Sequence, residues 1–125
     1  MADSLTVQMN KILDEYDEHI QKVTNETFRK KARQAASTLR STSPKRPGGG
    51  SYAAGWSAKR LGKTGRITSM VVYNKTNYQL THLLENGHVI RNKYGEYGRT
   101  TGKKHIAPVA DRVNSEIPLE IERQL

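Results

Sequence analysis

Three groups of residues in this chain are of types that could do chemistry. The first, Gly62-Lys63-Thr64, has the ending of a phosphate-binding loop, where backbone N–H groups wrap phosphates ahead of a lysine and a hydroxyl. Such a loop needs a glycine five residues before Gly62, and Ser57 stands there. A helix must also follow, whereas Arg66 to Tyr73 reads as a strand, so the motif is set aside. The second group is His82, Glu85 and His88. His82 and Glu85, three apart, would share a helical face, but His88 lies beyond a helix-ending Gly87 and the spacing matches neither familiar zinc helix. These read as surface or hydrogen-bonded histidines, and no metal is expected. His19 and His105 lie far off in sequence and complete no set.

The third group is basic and aromatic. Arg91, Lys93, Arg99, Lys103 and Lys104 are interleaved with Tyr94 and Tyr97, and Lys45 and Arg46 sit on an earlier loop. Lys59, Arg60, Lys63 and Arg66 add charge between them. Bases bind phosphates and aromatic rings stack on nucleobases, so these residues are candidates to face DNA or a partner protein. No helix-turn-helix, RNA-recognition motif or zinc finger accompanies them, so contact with DNA would be electrostatic and blind to sequence. The alternative is a solvated basic surface that serves solubility.

Catalysis needs a nucleophile or a tuned acid–base pair held in a cleft. The chain has no cysteine, which also removes disulfides and thiolate metal sites, and its serines lack a nucleophile signature. Asp14, Glu15, Asp17 and Glu18 fall on the outward side of the first helix, where charge is a solvated face. A toxin-like nuclease fails because the basic region holds only Glu85 and Glu96 as acids. No enzyme activity and no cofactor is expected.

Charge distribution says more than total charge. The net +9 divides into an acidic start, a basic middle and an acidic end. Residues 1–28 hold six acids and two bases; residues 29–104 hold seventeen bases and two acids; residues 105–125 hold four acids and two bases. A middle that cationic repels itself unless it faces a polyanion or an acidic partner. No apolar run approaches the ~20 residues of a membrane span. The acidic start is unlike a signal peptide, so a soluble protein is expected.

The elements that must position these groups are legible from period. Leu5, Met9, Ile12, Leu13, Tyr16, Ile20 and Val23 recur at three- and four-residue steps, which predicts a helix over 3–40 with a break allowed near Thr24-Asn25. A Ser/Pro/Gly-rich loop over 41–51 follows. Tyr52, Ala54, Trp56 and Ala58 alternate as on a strand, with Trp56 read as core. Gly62 to Gly65 is read as the turn into a second strand, Arg66 to Tyr73. Asn77 would cap a short helix with Leu80, Leu83 and Leu84 inward, ended by Asn86-Gly87. His88 to Arg91 reads as a third strand, completing a sheet and short helix over 52–91. Residues 92–104 read as a basic loop or splayed hairpin. A C-terminal helix over 105–125 has Pro108 in its first turn and Pro118 placed to kink or interrupt it. The fold class is α+β in a single domain over 1–125, with a small antiparallel sheet.

The order of these signals resembles the small tail-component, or neck and tail-completion, proteins of long-tailed bacteriophages. The likeness lies in Ser43-Pro44-Lys45-Arg46 leading through Tyr52 to Trp56, and in Val72-Tyr73-Asn74 before Tyr78-Gln79-Leu80. It continues in Glu85-Asn86-Gly87-His88 and in His105-Ile106-Ala107-Pro108, spanning roughly residues 5–125. The resemblance implies structural roles for Pro44, Tyr52, Trp56, Tyr78, Glu85, Gly87 and Pro108. It also implies a non-enzymatic virion protein that forms a homo-oligomeric ring, a hexamer being one expectation. That ring would join head-closure and tail-terminator proteins around the DNA channel, with the DNA bound non-specifically. One departure is Gly48-Gly49-Gly50, which lengthens the first loop, so the docking role of that loop does not carry over. The runner-up is a small sequence-independent nucleic-acid-binding protein of the cytoplasm.

Overall fold

The computed structural model describes residues 2–45, 49–87 and 89–125. Its element order is a long helix α1 (Ala2–Thr42), a one-turn helix α2 (Ser51–Ala54), strands β1 (Trp56–Thr64) and β2 (Ile67–Asn74), a 3-10 turn (Tyr78–Leu80), helix α3 (Thr81–Asn86), strands β3 (Val89–Asn92) and β4 (Gly95–Arg99), and helix α4 (Ile106–Gln124). The α+β class is as expected: a long N-terminal helix, small antiparallel strands with a short helix, and a C-terminal helix.

α1 is unbroken through Thr24 and Asn25, because no glycine or proline interrupts it and Asn25 is held on the body. Asn25 donates to the Arg66 carbonyl (3.1 Å) and accepts the Thr68 N–H (2.9 Å), which fastens the helix to the base of the β1–β2 turn. At 1.5 Å per residue its 41 residues run about 60 Å. Only the second half is packed. Val23, Thr27, Ala32, Ala35, Ala36 and Leu39 are buried, whereas residues 4–19 are exposed throughout.

β1 and β2 pair antiparallel from Trp56↔Asn74 to Thr64↔Ile67, with an irregularity at Leu61. The turn is therefore two residues, not the four of Gly62 to Gly65. Gly65 sits at its first central position with φ 62°, where a type II′ hairpin favours glycine. The expected strand from Tyr52 also begins later. Residues 51–54 coil into α2, so Tyr52 and Trp56 stand on a turn of helix and the strand that follows it.

α4 packs along α1 through Val109 and Val113, and Ile106, Val72, Leu80 and Leu84 join the same core around Ala35, Leu39, Tyr52 and Trp56. Two ion pairs add to this seam, Lys31 Nζ to Glu116 Oε2 at 2.6 Å and Lys30 Nζ to Glu120 Oε1 at 3.4 Å. Pro118 does not interrupt α4. The lost backbone bond falls on the carbonyl of Asn114, an exposed residue that water reaches.

β3 and β4 form a second two-stranded sheet, so the basic segment after residue 92 is a hairpin followed by an irregular stretch. The short helix is a 3-10 turn running into α3. Leu80 and Leu84 face the core, but Leu83 is exposed, since it stands about 100° around the helix from Leu84. Asn77 gives no side-chain cap; its amide donates to the Ser51 and Thr76 hydroxyls instead. Among the described residues no helix is long and apolar enough to cross a membrane.

Candidate functional site

The residues singled out by the sequence separate into two places. Tyr52, Trp56, Glu85 and Gly87 meet His105 and Asn74 in a buried polar and aromatic cluster where α2, β1, α3 and the start of α4 converge. Lys45, Lys93, Arg99, Lys103 and Lys104 are exposed outside it.

Glu85 is the centre of the cluster. Its Oε2 accepts the N–H groups of His105 (2.9 Å) and Ile106 (2.8 Å), and its Oε1 accepts that of Ala107 (3.1 Å). These are unpaired donors of the first turn of α4, where a negative charge is favoured by the helix dipole. His105 gives that helix no side-chain cap, and Glu85 does so from another element. Burial opposes ionisation of Glu85, but the three N–H groups and the nearby His105 outweigh it and hold its carboxyl below the usual glutamate range.

His105 has acceptors on one side of its ring, the Lys103 carbonyl at 2.7 Å and Glu85 Oε2 at 3.0 Å from Nδ1. Nδ1 therefore carries hydrogen, and in the neutral ring Nε2 accepts from the Tyr52 hydroxyl at 2.7 Å. Burial, and next the charge of Glu85, push the Tyr52 hydroxyl up to about 12, so it stays protonated and able to donate. Tyr52, Trp56 and His105 pack edge to face, with ring centroids 5.6–6.4 Å apart.

The neighbouring backbone is fixed from the same residues. The Trp56 indole donates to Ser43 Oγ (2.8 Å), and its carbonyl accepts from Arg40 (2.6 Å), tying β1 to the end of α1. Asn74 donates to the Tyr52 carbonyl (2.6 Å) and its Oδ1 accepts the N–H groups of Asn77 (2.8 Å) and Thr76 (3.3 Å). Gly87 has φ 77°, and a Cβ there would come within 2.2 Å of the Thr100 carbonyl. The chain after β4 thus lies directly against the end of α3, with the Lys103 N–H on the Leu84 carbonyl at 2.8 Å.

The polar groups of this cluster are turned on one another. The Tyr52 hydroxyl, both ring nitrogens of His105 and both oxygens of Glu85 are occupied by internal partners. His82, expected to share a face with Glu85, is exposed while Glu85 is buried, and His88 lies outside the described residues. Among the described residues no three His, Asp or Glu side chains come together as metal ligands.

The basic candidates whose side chains are described are surface groups. Lys93, Arg99, Lys103 and Lys104 are exposed on the β3–β4 hairpin and the stretch after it, and Arg91 belongs to β3, opposite Glu96. Lys93 lies over the Tyr94 ring, 5.0 Å from its centroid, and Tyr94 and Tyr97 are themselves exposed. Lys104 bonds Asn86 Oδ1, and Arg99 reaches the Asn86 carbonyl at 3.5 Å. Lys45 is exposed beside half-buried Pro44 at a groove of about 480 Å³ that Leu80 and Leu84 also line. Arg46 lies outside the described residues. Tyr78 and Pro108 are exposed and make no part of the buried cluster.

Two features escaped sequence reasoning. The acidic end is partly paired within the chain: Lys31 and Arg112 hold the Glu116 carboxyl below the usual glutamate range, and Arg123 and Lys30 do the same for Glu120. The acids of α1 are different. Asp14, Asp17 and Glu18 line an open depression together with Gln21 and Arg66. Beside them run Leu5, Met9, Ile12, Leu13 and Tyr16, each more than half exposed, on the helical face that Val23 and Thr27 continue into the body.

Comparison with known proteins found no matching family model, no matching curated protein and no matching solved structure.

Proposed function

We propose that this chain is a structural virion protein of the bacteriophage neck or tail top, which forms an oligomeric ring joining head-closure and tail-terminator proteins around the DNA channel. In this proposal it does no chemistry. The observation that carries the reading is the first half of α1: a helical arm with a row of exposed apolar side chains that the body of its own chain leaves uncovered. A surface of that kind marks an assembly site. The resemblance in the order of motifs directs the reading to the phage neck. The exposed basic hairpins suit the lining of a channel through which DNA passes.

The test is deletion of the gene. Filled heads and tails that fail to join stably are the expected result, and tailed, infectious particles would remove the proposal. Exchange of Lys103 and Lys104 for Glu should harm DNA passage or docking more than folding, read as infectivity against thermal stability.

A second reading, a free sequence-independent nucleic-acid-binding protein, is favoured by one observation: Lys93, Tyr94, Tyr97 and Arg99 are exposed together on one hairpin. It requires tight binding of the isolated chain to DNA, falling steeply with salt as phosphate contacts are screened. The ring reading requires weak binding by the single chain.

A further inference from the structure

We infer that the N-terminal arm of α1, residues 4–19, docks on the outer face of the β1–β2 hairpin of a second copy. The inference rests on the ring reading above and names the contact that would build it.

The arm cannot cover its own apolar stripe. Asn25 fastens α1 beside the β1–β2 turn, so the residues before it extend past the hairpin as a rigid rod of about 25 Å. No glycine or proline lies between Asp3 and Arg40 to let that rod fold back. Leu5, Met9, Ile12, Leu13 and Tyr16 must therefore be covered by another molecule or stay wet.

Charge selects what covers them. Residues 1–28 carry six acids against two bases, and Arg66 of the same chain can neutralise at most one of those acids. Pairing the stripe with the stripe of another arm would bring two acidic helices together. The basic middle of a second copy has the opposite sign.

The hairpin supplies an apolar surface within that basic region. Strand alternation puts Thr68, Val72 and Asn74 toward α1 and the core, and Ile67, Val71 and Tyr73 on the opposite face. Among the described elements only α1 packs extensively on this sheet, so the opposite face has no helix over it. Ile67, Val71 and Tyr73 are half-buried there, and Lys59 sits over the Tyr73 ring at 4.5 Å. Lys59, cross-strand from Val71, is the exposed base of β1 on this face, whereas Arg60 and Lys63 pair with Met70 and Thr68 and project to the other side. An apolar strip carrying Lys59, on a hairpin whose turn holds Arg66, meets an apolar stripe on an acidic helix. Because donor and acceptor surfaces differ, the contact is head-to-tail and closes into a ring when the rotation allows.

The chain has no cysteine, so disulfide trapping reads this contact without background. Ile12→Cys and Val71→Cys proteins are purified separately, mixed, and oxidised. The mixed Ile12–Val71 disulfide should be the main product, and a chain with both substitutions should give a ladder of linked copies ending at the ring number. Ser57→Cys, cross-strand from Tyr73 on the same sheet face, serves as a second acceptor should Val71→Cys fail to fold. A dominant Ile12–Ile12 product would overturn the inference in favour of paired arms, and absence of any link would overturn it outright. The ring reading fails separately: mixed links in a protein whose deletion leaves infectious tailed particles keep this docking and remove the neck. Particles that need the protein, with no mixed link, do the reverse.

Discussion

The buried cluster around Glu85 and the N-terminal arm are built from opposite choices. In the cluster, Glu85, His105, Tyr52, Trp56 and Asn74 find partners contributed by α1, α2, β1, α3 and the start of α4, so one fold satisfies them all. In the arm, five apolar side chains on one face stand in solvent, and folding of a single chain gains nothing from them. The first region makes the protomer. The second is unfinished until something else binds. The contrast teaches that local order and completeness are separate: α1 is a continuous helix from end to end, yet only its second half belongs to the protomer core.

The sharpest way to break this comparison is to remove the largest member of the cluster. Trp56→Ala should cost about 3–5 kcal/mol, since it empties a core site and leaves Ser43 Oγ without its donor; urea denaturation measures it. A loss under 1 kcal/mol would show that the cluster is not the centre of stability.

Glu85→Gln should cost about 1.5–3 kcal/mol, because a charged acceptor of three backbone N–H groups becomes a neutral amide. The same residue sets a pH dependence. Its carboxyl is held lower in the folded than in the unfolded chain, so its contribution is complete above the unfolded value of about 4.3 and is lost as pH falls through the folded value. Melting curves of the Glu85→Gln protein should therefore lose less stability on acidification than those of the parent.

Tyr52→Phe should cost about 1 kcal/mol, since the ring packing survives and only the donor to His105 Nε2 is lost. At the other end of the scale, Ile12→Ser should change the stability of the monomer by no more than about 0.5 kcal/mol, because its side chain is exposed. A large loss there would mean that the arm belongs to the protomer fold after all, and the comparison would fail.

Much of the fold was legible because period and punctuation report local structure. Leu5 to Val23 at helical spacing announced α1, and Asn86-Gly87 announced the end of α3. Trp56 was correctly placed in the core. Tyr52 to Ala54 was misread as strand, because alternation over so few residues also fits one turn of helix ahead of a strand. Gly62 to Gly65 suggests a four-residue turn where the strand register leaves two, and a run of three leucines does not by itself say that Leu84 rather than Leu83 takes the inner face. The cluster itself was beyond local reading. Tyr52 and His105 are 53 residues apart and Glu85 and Ala107 are 22 apart, and no periodic signal links residues across such distances.

From the chain alone came the helix that is too long for its domain, the acidic start and basic middle, and the absence of thiol chemistry. These follow from residue types and from contacts within a few positions, where the backbone imposes 3.6- and 2-residue periods. The tertiary structure decided which acids already have partners: Glu116 and Glu120 of α4 pair with Lys31 and Lys30 of α1, whereas Asp14, Asp17 and Glu18 of the arm line an open depression with Arg66. It also decided that Glu85 caps α4 and that the apolar stripe before Val23 has nothing over it. Both depend on how segments distant in sequence are placed in space, because burial and ionic pairing are set by the neighbours that folding brings within a few ångströms.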